Sequence, residues 1–175
     1  MKTILRIIVF SLFLLVFCSP LLADELPPRK AGLWSLSTEV EGMPGASHTL
    51  QQCIDAATDK ELMNLSRDIA AKTGAKCAKN AIDKVSGKYV HEADCMMAGS
   101  HIVSRTTFAG DFNSSYVATS ITTYTPPMMG MSDTHSTVTA KYLGPCAAGM
   151  DPGDVMLPDG KKMTLKAMRA MQGGL

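Results

Sequence analysis

The chain lacks any excess of one charge. Its 175 residues carry a formal net charge of +1, with 17 Lys and Arg against 16 Asp and Glu. No basic face is left over to neutralise phosphates, which excludes a charge-driven nucleic-acid binder. Wholesale disorder is excluded too, because 46% of the residues are hydrophobic and the charges nearly balance. C-x-x-C is absent, and the wide cysteine spacings fit no zinc-finger template, so neither a thioredoxin-like motif nor a structural zinc site is indicated. There is no G-x-S-x-G, H-E-x-x-H, Walker loop, G-x-G-x-x-G or EF-hand spacing. Four histidines (His48, His91, His101, His135) and many Ser and Asp are what any exported domain offers, so catalysis is not expected. Repeats and low-complexity tracts are missing as well.

One long apolar run is present. It extends from Ile4 to Phe17, broken by Arg6 and Ser11, after a basic start at Lys2. Pro20 and Leu21-Leu22-Ala23 follow, then Asp24-Glu25. This is the pattern of a secretory signal peptide, with cleavage expected after Ala23. The run is shorter than the roughly 20 residues of a membrane anchor. Lipid attachment at Cys18 is disfavoured, because Phe17 stands where lipoprotein signals place a small residue. Loss of residues 1–23 removes Lys2 and Arg6 and leaves a net charge of −1, which steers no strongly charged partner. No later run is long enough to span a bilayer, so the mature chain, residues 24–175, reads as a single soluble domain in the periplasm or outside the cell.

Cys53, Cys77, Cys95 and Cys146 remain after cleavage, an even count that reads as two disulfides in an oxidising compartment. Ser86-Gly87 is a turn signal between two strand-like runs. A two-residue hairpin there sets Val85 opposite Lys88 and, counting outward, Ala78 opposite Cys95. Cys77 is then one residue away and within reach of a bridge after a bulge. The expected pairs are Cys77–Cys95 and, by elimination, Cys53–Cys146. Loop entropy gives about 3 kcal/mol for the short link and nearer about 5 kcal/mol for the long one.

The rest of the pattern is mostly β. Trp34, Leu36 and Val40 alternate with Ser35, Ser37 and Glu39 in a half-buried strand, and Gly42-Met43-Pro44-Gly45 punctuates it before a return strand over 48–54. Thr58 to Lys72 reads as a helix, with a Thr58-x-x-Glu61 capping box, a stripe of Leu62, Leu65, Ile69 and Ala70, and Gly74 as its stop. Strands are expected over 78–85, 88–96, 101–108, 112–125 and 134–143, with turns at Gly99-Ser100 and Gly110-Asp111. About seven strands at hairpin spacing make an antiparallel meander or a small barrel with one capping helix; sheet closure is left open. Gly144 to Gly160 is rich in Pro and Gly and reads as loop, and Thr164–Met171 can form a short amphipathic helix.

The most unusual segment is Thr125-Pro126-Pro127-Met128-Met129-Gly130-Met131-Ser132-Asp133-Thr134-His135. Thioether sulfur is a soft donor that suits Cu(I), so Met128, Met129, Met131 and His135 are the candidate metal ligands and copper the candidate cofactor. The competing reading is a hairpin loop whose methionines fill gaps at one end of the sheet. The strands are rich in Ser and Thr, which can line a polar cavity or form a solvated face. Asp151, Asp154 and Asp159 sit beside Gly and Pro; they could bind Ca²⁺, but turns favour the same residues and the turn reading is preferred.

Pro27-Pro28-Arg29-Lys30-Ala31-Gly32-Leu33-Trp34 directly after a signal peptide resembles the start of a family of small exported bacterial proteins, the domain of unknown function family DUF3617. Gln51-Gln52-Cys53-Ile54, Gly110-Asp111-Phe112, the Pro-Pro-Met-Met-Gly-Met run, Leu143-Gly144-Pro145-Cys146 and Leu157-Pro158-Asp159-Gly160 are similar to its later blocks. The resemblance implies an envelope location and structural cysteines; it carries no activity and no catalytic residues. The resulting expectation is a β-rich, disulfide-bonded exported protein that acts by binding an apolar small molecule or an envelope partner. Soft-metal handling through the methionine segment is the alternative, and a hydrolase without a recognisable motif the second alternative.

Overall fold

The computed structural model describes residues 25–72 and 74–172. The signal segment, the cleavage point at Ala23 and Cys18 lie outside the described residues, as do the Ile69 and Ala70 side chains of the expected helical stripe. Among the described residues, nine strands form one antiparallel sheet. In chain order they are β1 (Gly32–Val40), β2 (His48–Ile54), β3 (Lys76–Val85), β4 (Lys88–Met97), β5 (Ser100–Gly110), β6 (Ser115–Met128), β7 (Met131–Gly144), β8 (Val155–Met156) and β9 (Lys162–Met163). The order across the sheet is β3-β4-β5-β6-β7-β1-β2-β8-β9, so β3 and β9 are free edges and the sheet is open, not a barrel. Helix α1 (Ala56–Lys72) follows β2, and helix α2 (Leu165–Gln172) ends the described chain.

Two strands exceed the expected seven: β8 falls in the tail read as loop, and β9 lies between that tail and the expected C-terminal helix. β8 pairs with Gln51 and Gln52 on the free edge of β2, and β9 pairs with β8. Backbone groups on an edge need partners, and the tail supplies them: Cys53 N–H donates to the Asp154 carbonyl at 2.9 Å, and Gly153 N–H to the Cys53 carbonyl at 2.8 Å. Cys146, Met150 and Met156 of this segment pack with Leu33 and Cys53.

Three hairpins use the same local device. Ser86-Gly87, Ala98-Gly99 and Met129-Gly130 each place both residues at positive φ, the type I′ turn whose twist matches the strands it joins. The second turn is thus Ala98-Gly99 instead of Gly99-Ser100, and Ser100 is buried with its hydroxyl donating to the Pro126 carbonyl at 2.7 Å. β6 starts at Ser115, not Phe112, because the Asp111 carboxylate accepts the N–H groups of Asn113, Ser114 and Ser115 and holds the loop open. Between β3 and β4, Val85 faces Lys88 and a bulge at Ala78 sets Cys77 opposite Cys95.

α1 begins two residues before the expected start. Its N-cap is Asp55: the carboxylate accepts from Thr58 N–H at 2.8 Å while Thr58 Oγ1 accepts from Asp55 N–H at 2.9 Å. This reciprocal box uses Thr58 as its closing residue. Glu61, expected to close it, instead meets Arg169 of α2 at 3.1 Å.

Alternation along the strands defines two faces. The inner face carries Trp34, Leu36, Ala140, Tyr142, Tyr116 and Ala118. Trp34, Ile54 and Ala140 are fully enclosed there, with Leu36, Leu62, Tyr116 and Tyr142 packed around them. Phe112 stacks on Tyr116 at 4.8 Å between ring centroids and meets Tyr89 edge-on at 6.0 Å. Gly32 is required at this corner: a Cβ would lie 2.4 Å from the Gly144 carbonyl and 2.7 Å from the Tyr142 ring, at a φ of +136°. Leu62 places α1 over the inner face. The helix carries the chain from β2 to the opposite edge at β3, with 17 residues spanning about 26 Å.

Candidate functional surface

On the outer face the strands present Val117, Thr119, Ile121 and Thr123 from β6, with Ala109, Arg105 and Val103 from β5 and Thr139, Thr137, His135 and Asp133 from β7. Val85, Met96, Val103, Val117 and Ile121 are exposed large apolar residues, and the register puts all five on this face. Leu143, also exposed, sits at the bulge opposite Leu33 and Trp34. Val103 faces Asp94 and Thr123, while Met96 faces His101 and Ile121 faces Arg105. Met96, Val103 and Ile121 are therefore diagonal neighbours on three successive strands, about 7–8 Å apart at each step. The polar side chains flanking them are paired among themselves: Glu92 holds Lys79 and Arg105, and Asp94 meets the His101 ring at 2.7 Å. The ammonium of Lys79 keeps the Glu92 carboxyl below its ordinary range, and Lys79 is raised in return.

The diagonal row leads into a shallow depression. Its volume is about 570 Å³, and Glu39, Glu41, Thr119, Ile121, His135 and Thr137 are among its walls. A second depression of about 340 Å³ shares Glu39 and is lined by Ser35, Ser37, Thr49, Thr139 and Lys141. Ser and Thr residues line both depressions, Ile121 lines the first, and Glu39 is common to the two.

His135 lies in this depression, its Nδ1 3.3 Å from Glu41 and its Nε2 3.9 Å from Asp133. Met128 and Met131 face each other across the Met129-Gly130 turn, and Met129 points into solvent with 91% of its surface exposed. His135 is four steps along β7 from Met131, a rise of about 13 Å. The four candidate ligands therefore divide into a thioether group at the hairpin tip and a histidine paired with carboxylates. Among the described residues, no three of His, Cys, Asp and Glu are placed to hold a metal ion. Asp154 is committed to Lys162 at 2.8 Å, which lowers its pKa, and to the Asp151 N–H. Asp159 pairs with Lys161. The disulfides join Cys53 to Cys146 and Cys77 to Cys95.

The sequence offers no signal for the most strongly bonded side-chain cluster. Arg29 donates from Nε and Nη2 to one oxygen of Asp59 at 2.9 and 2.7 Å, from its own N–H to the other at 2.9 Å, and from Nη1 to Gln52 at 3.1 Å. Both side chains are enclosed, at 9% and 3% exposure. The guanidinium lies 5.9 Å from the Trp34 ring centre, and Trp34 Nε1 donates to the Lys30 carbonyl. Nearby, burial raises the pKa of the Tyr116 phenol, partly offset by Arg29. Both oxygens of Asp59 accept from Arg29, so this group is a clamp between the segment before β1, strand β2 and α1.

No curated protein matches the chain, and no solved structure does. A family described as "Protein of unknown function (DUF3617)" matches residues 29–146, from the clamp arginine to the second cysteine of the long disulfide. The Leu157–Gly160 block falls beyond that span. On a match covering more than half of its length, the chain belongs to the DUF3617 family.

Proposed function

We propose that this protein is an exported, non-catalytic binding or accessory module of the cell envelope, which holds an apolar ligand or partner segment against its outer sheet face. The observation that carries this reading is the diagonal row of Met96, Val103 and Ile121, exposed on neighbouring strands, with Ile121 also lining the first depression. Strand positions facing solvent usually carry polar residues, and adjacent apolar ones mark a surface that meets something. The open sheet favours a surface ligand over one enclosed in a barrel. Two disulfides fit an oxidising compartment, in keeping with export after cleavage near Ala23 and a periplasmic or secreted location.

The test is a titration of the mature protein with a fluorophore carrying an alkyl chain. Saturable binding is expected in the wild type and its loss in Val103→Glu/Ile121→Glu, with the near-ultraviolet circular dichroism of Trp34 unchanged. Equal binding by the double variant sinks the reading. A second reading rests on the three thioethers gathered at one hairpin tip, which suit Cu(I). Native mass spectrometry with Cu(I) tests it: a copper adduct lost in Met128→Leu/Met131→Leu supports a metal site, and an unchanged apo mass removes it.

A further inference from the structure

The two disulfides stand in opposite surroundings. Cys53 is fully buried and walled by Leu33, Met150 and Met156. Cys77 is exposed, in an edge strand that has a neighbour on one side only. Exchange requires an attacking thiolate to reach a disulfide sulfur, so access selects between the two bridges. Their positions in the fold differ as well. Cys53–Cys146 fastens the tail to the β1–β2 corner, whereas Cys77–Cys95 closes the open end of the β3–β4 hairpin, five residues after the last residue of α1.

α1 is fastened to the rest of the fold through its first turns. Its first turns carry the Asp55 cap, the Arg29–Asp59 clamp and Leu62 in the aromatic cluster. Its far end is followed by β3, whose start is tied across to β4 by the Cys77–Cys95 bridge and whose other end turns into β4 through Ser86-Gly87. Beyond that bridge, β3 is attached by its ladder to β4 and by exposed pairs such as Lys79–Glu92 and Asn80–His91, of a kind that contributes little.

We propose that Cys77–Cys95 is a thiol–disulfide exchange site, a redox latch on the segment formed by α1 and β3, opened by a protein dithiol of the C-x-x-C class while Cys53–Cys146 stays closed. A thiolate of the dithiol attacks Cys77 Sγ; the Cys77–Cys95 bond breaks, and Cys95 leaves as a thiolate that takes a proton. The second thiol of the reductant, after losing its proton, attacks the mixed disulfide, releases Cys77 as a thiol and leaves the reductant oxidised. Two electrons pass from the dithiol to the cysteine pair. The edge strand then separates more readily from β4, and the far end of α1 with it. This inference is independent of the ligand reading of the outer face.

The intact protein is incubated with reduced thioredoxin, alkylated, peptide-mapped, and followed in parallel by hydrogen exchange. Alkylation of Cys77 and Cys95 alone is expected, with loss of exchange protection over 76–85 and the end of α1, restored on reoxidation. Absence of alkylation, simultaneous alkylation of all four cysteines, or selective alkylation with unchanged exchange overturns the latch. The Cys77→Ser/Cys95→Ser variant should show the loosened exchange pattern with no reductant present, and a wild-type pattern in it counts against the proposal.

Discussion

The two faces of the sheet are built from the same strands and differ in what they do with them. At the Trp34 corner the inner face brings together a fully buried indole, a stacked Phe112–Tyr116 pair, an enclosed Arg29–Asp59 clamp and a glycine with no room for a methyl group. On the outer face, Val103 and Ile121 stand 42% and 47% exposed between Thr and charged neighbours. Side chains one position apart in the chain thus serve different ends, because a strand's period of two sends them to opposite sides. Packing that closes one face fixes the register, and the register in turn decides what the other face displays.

The sharpest way to break this contrast is to strike the corner. Asp59→Ala leaves the Arg29 guanidinium buried without its partner and should cost about 3–5 kcal/mol, read from denaturant unfolding. Gly32→Ala comes next: the backbone conformation alone should cost about 1–3 kcal/mol, with the clash against the Gly144 carbonyl added. Acid is a milder probe. Asp111 is held below its ordinary pKa by the Ser114 N–H and hydroxyl, Asp55 by Thr58, and Asp154 by Lys162. A carboxyl whose folded pKa is depressed contributes stability above its unfolded pKa and loses it as pH falls through the folded value. Tm should therefore hold steady as these groups stay ionised down to about pH 5 and fall below about pH 4. The smallest effect belongs to the outer face: Val103→Thr and Ile121→Thr should change stability by no more than about 0.5 kcal/mol while weakening ligand binding. A large destabilisation there would mean that the face is part of the core.

Local signals made much of this fold legible. Ser86-Gly87 marks a two-residue hairpin whose Val85↔Lys88 pairing is present, and the β-branched runs mark the strands of the meander. Other features depend on partners far away in the chain. The Asp55-x-x-Thr58 box competes with Thr58-x-x-Glu61 three residues on, and it is Arg169, more than a hundred residues later, that takes Glu61. β8 and β9 are two-residue strands with no pattern of their own; the free edge of β2 makes them strands. Arg29 and Asp59 are 30 residues apart, and no spacing rule links a residue before the first strand to one in the first helix. The methionine segment was readable as a cluster, but the tight Met129-Gly130 turn continues two strands where a loop was expected, and this holds His135 away from the sulfurs.

The central claim, that the sheet closes its Trp34 face and leaves the Val103–Ile121 region of the other face open, is tested most directly by the effect of a soluble paramagnetic probe on methyl resonances. Strong broadening is expected for Val103, Val117 and Ile121, and protection for Leu36, Ile54 and Leu62. Equal protection of both sets would contradict the account.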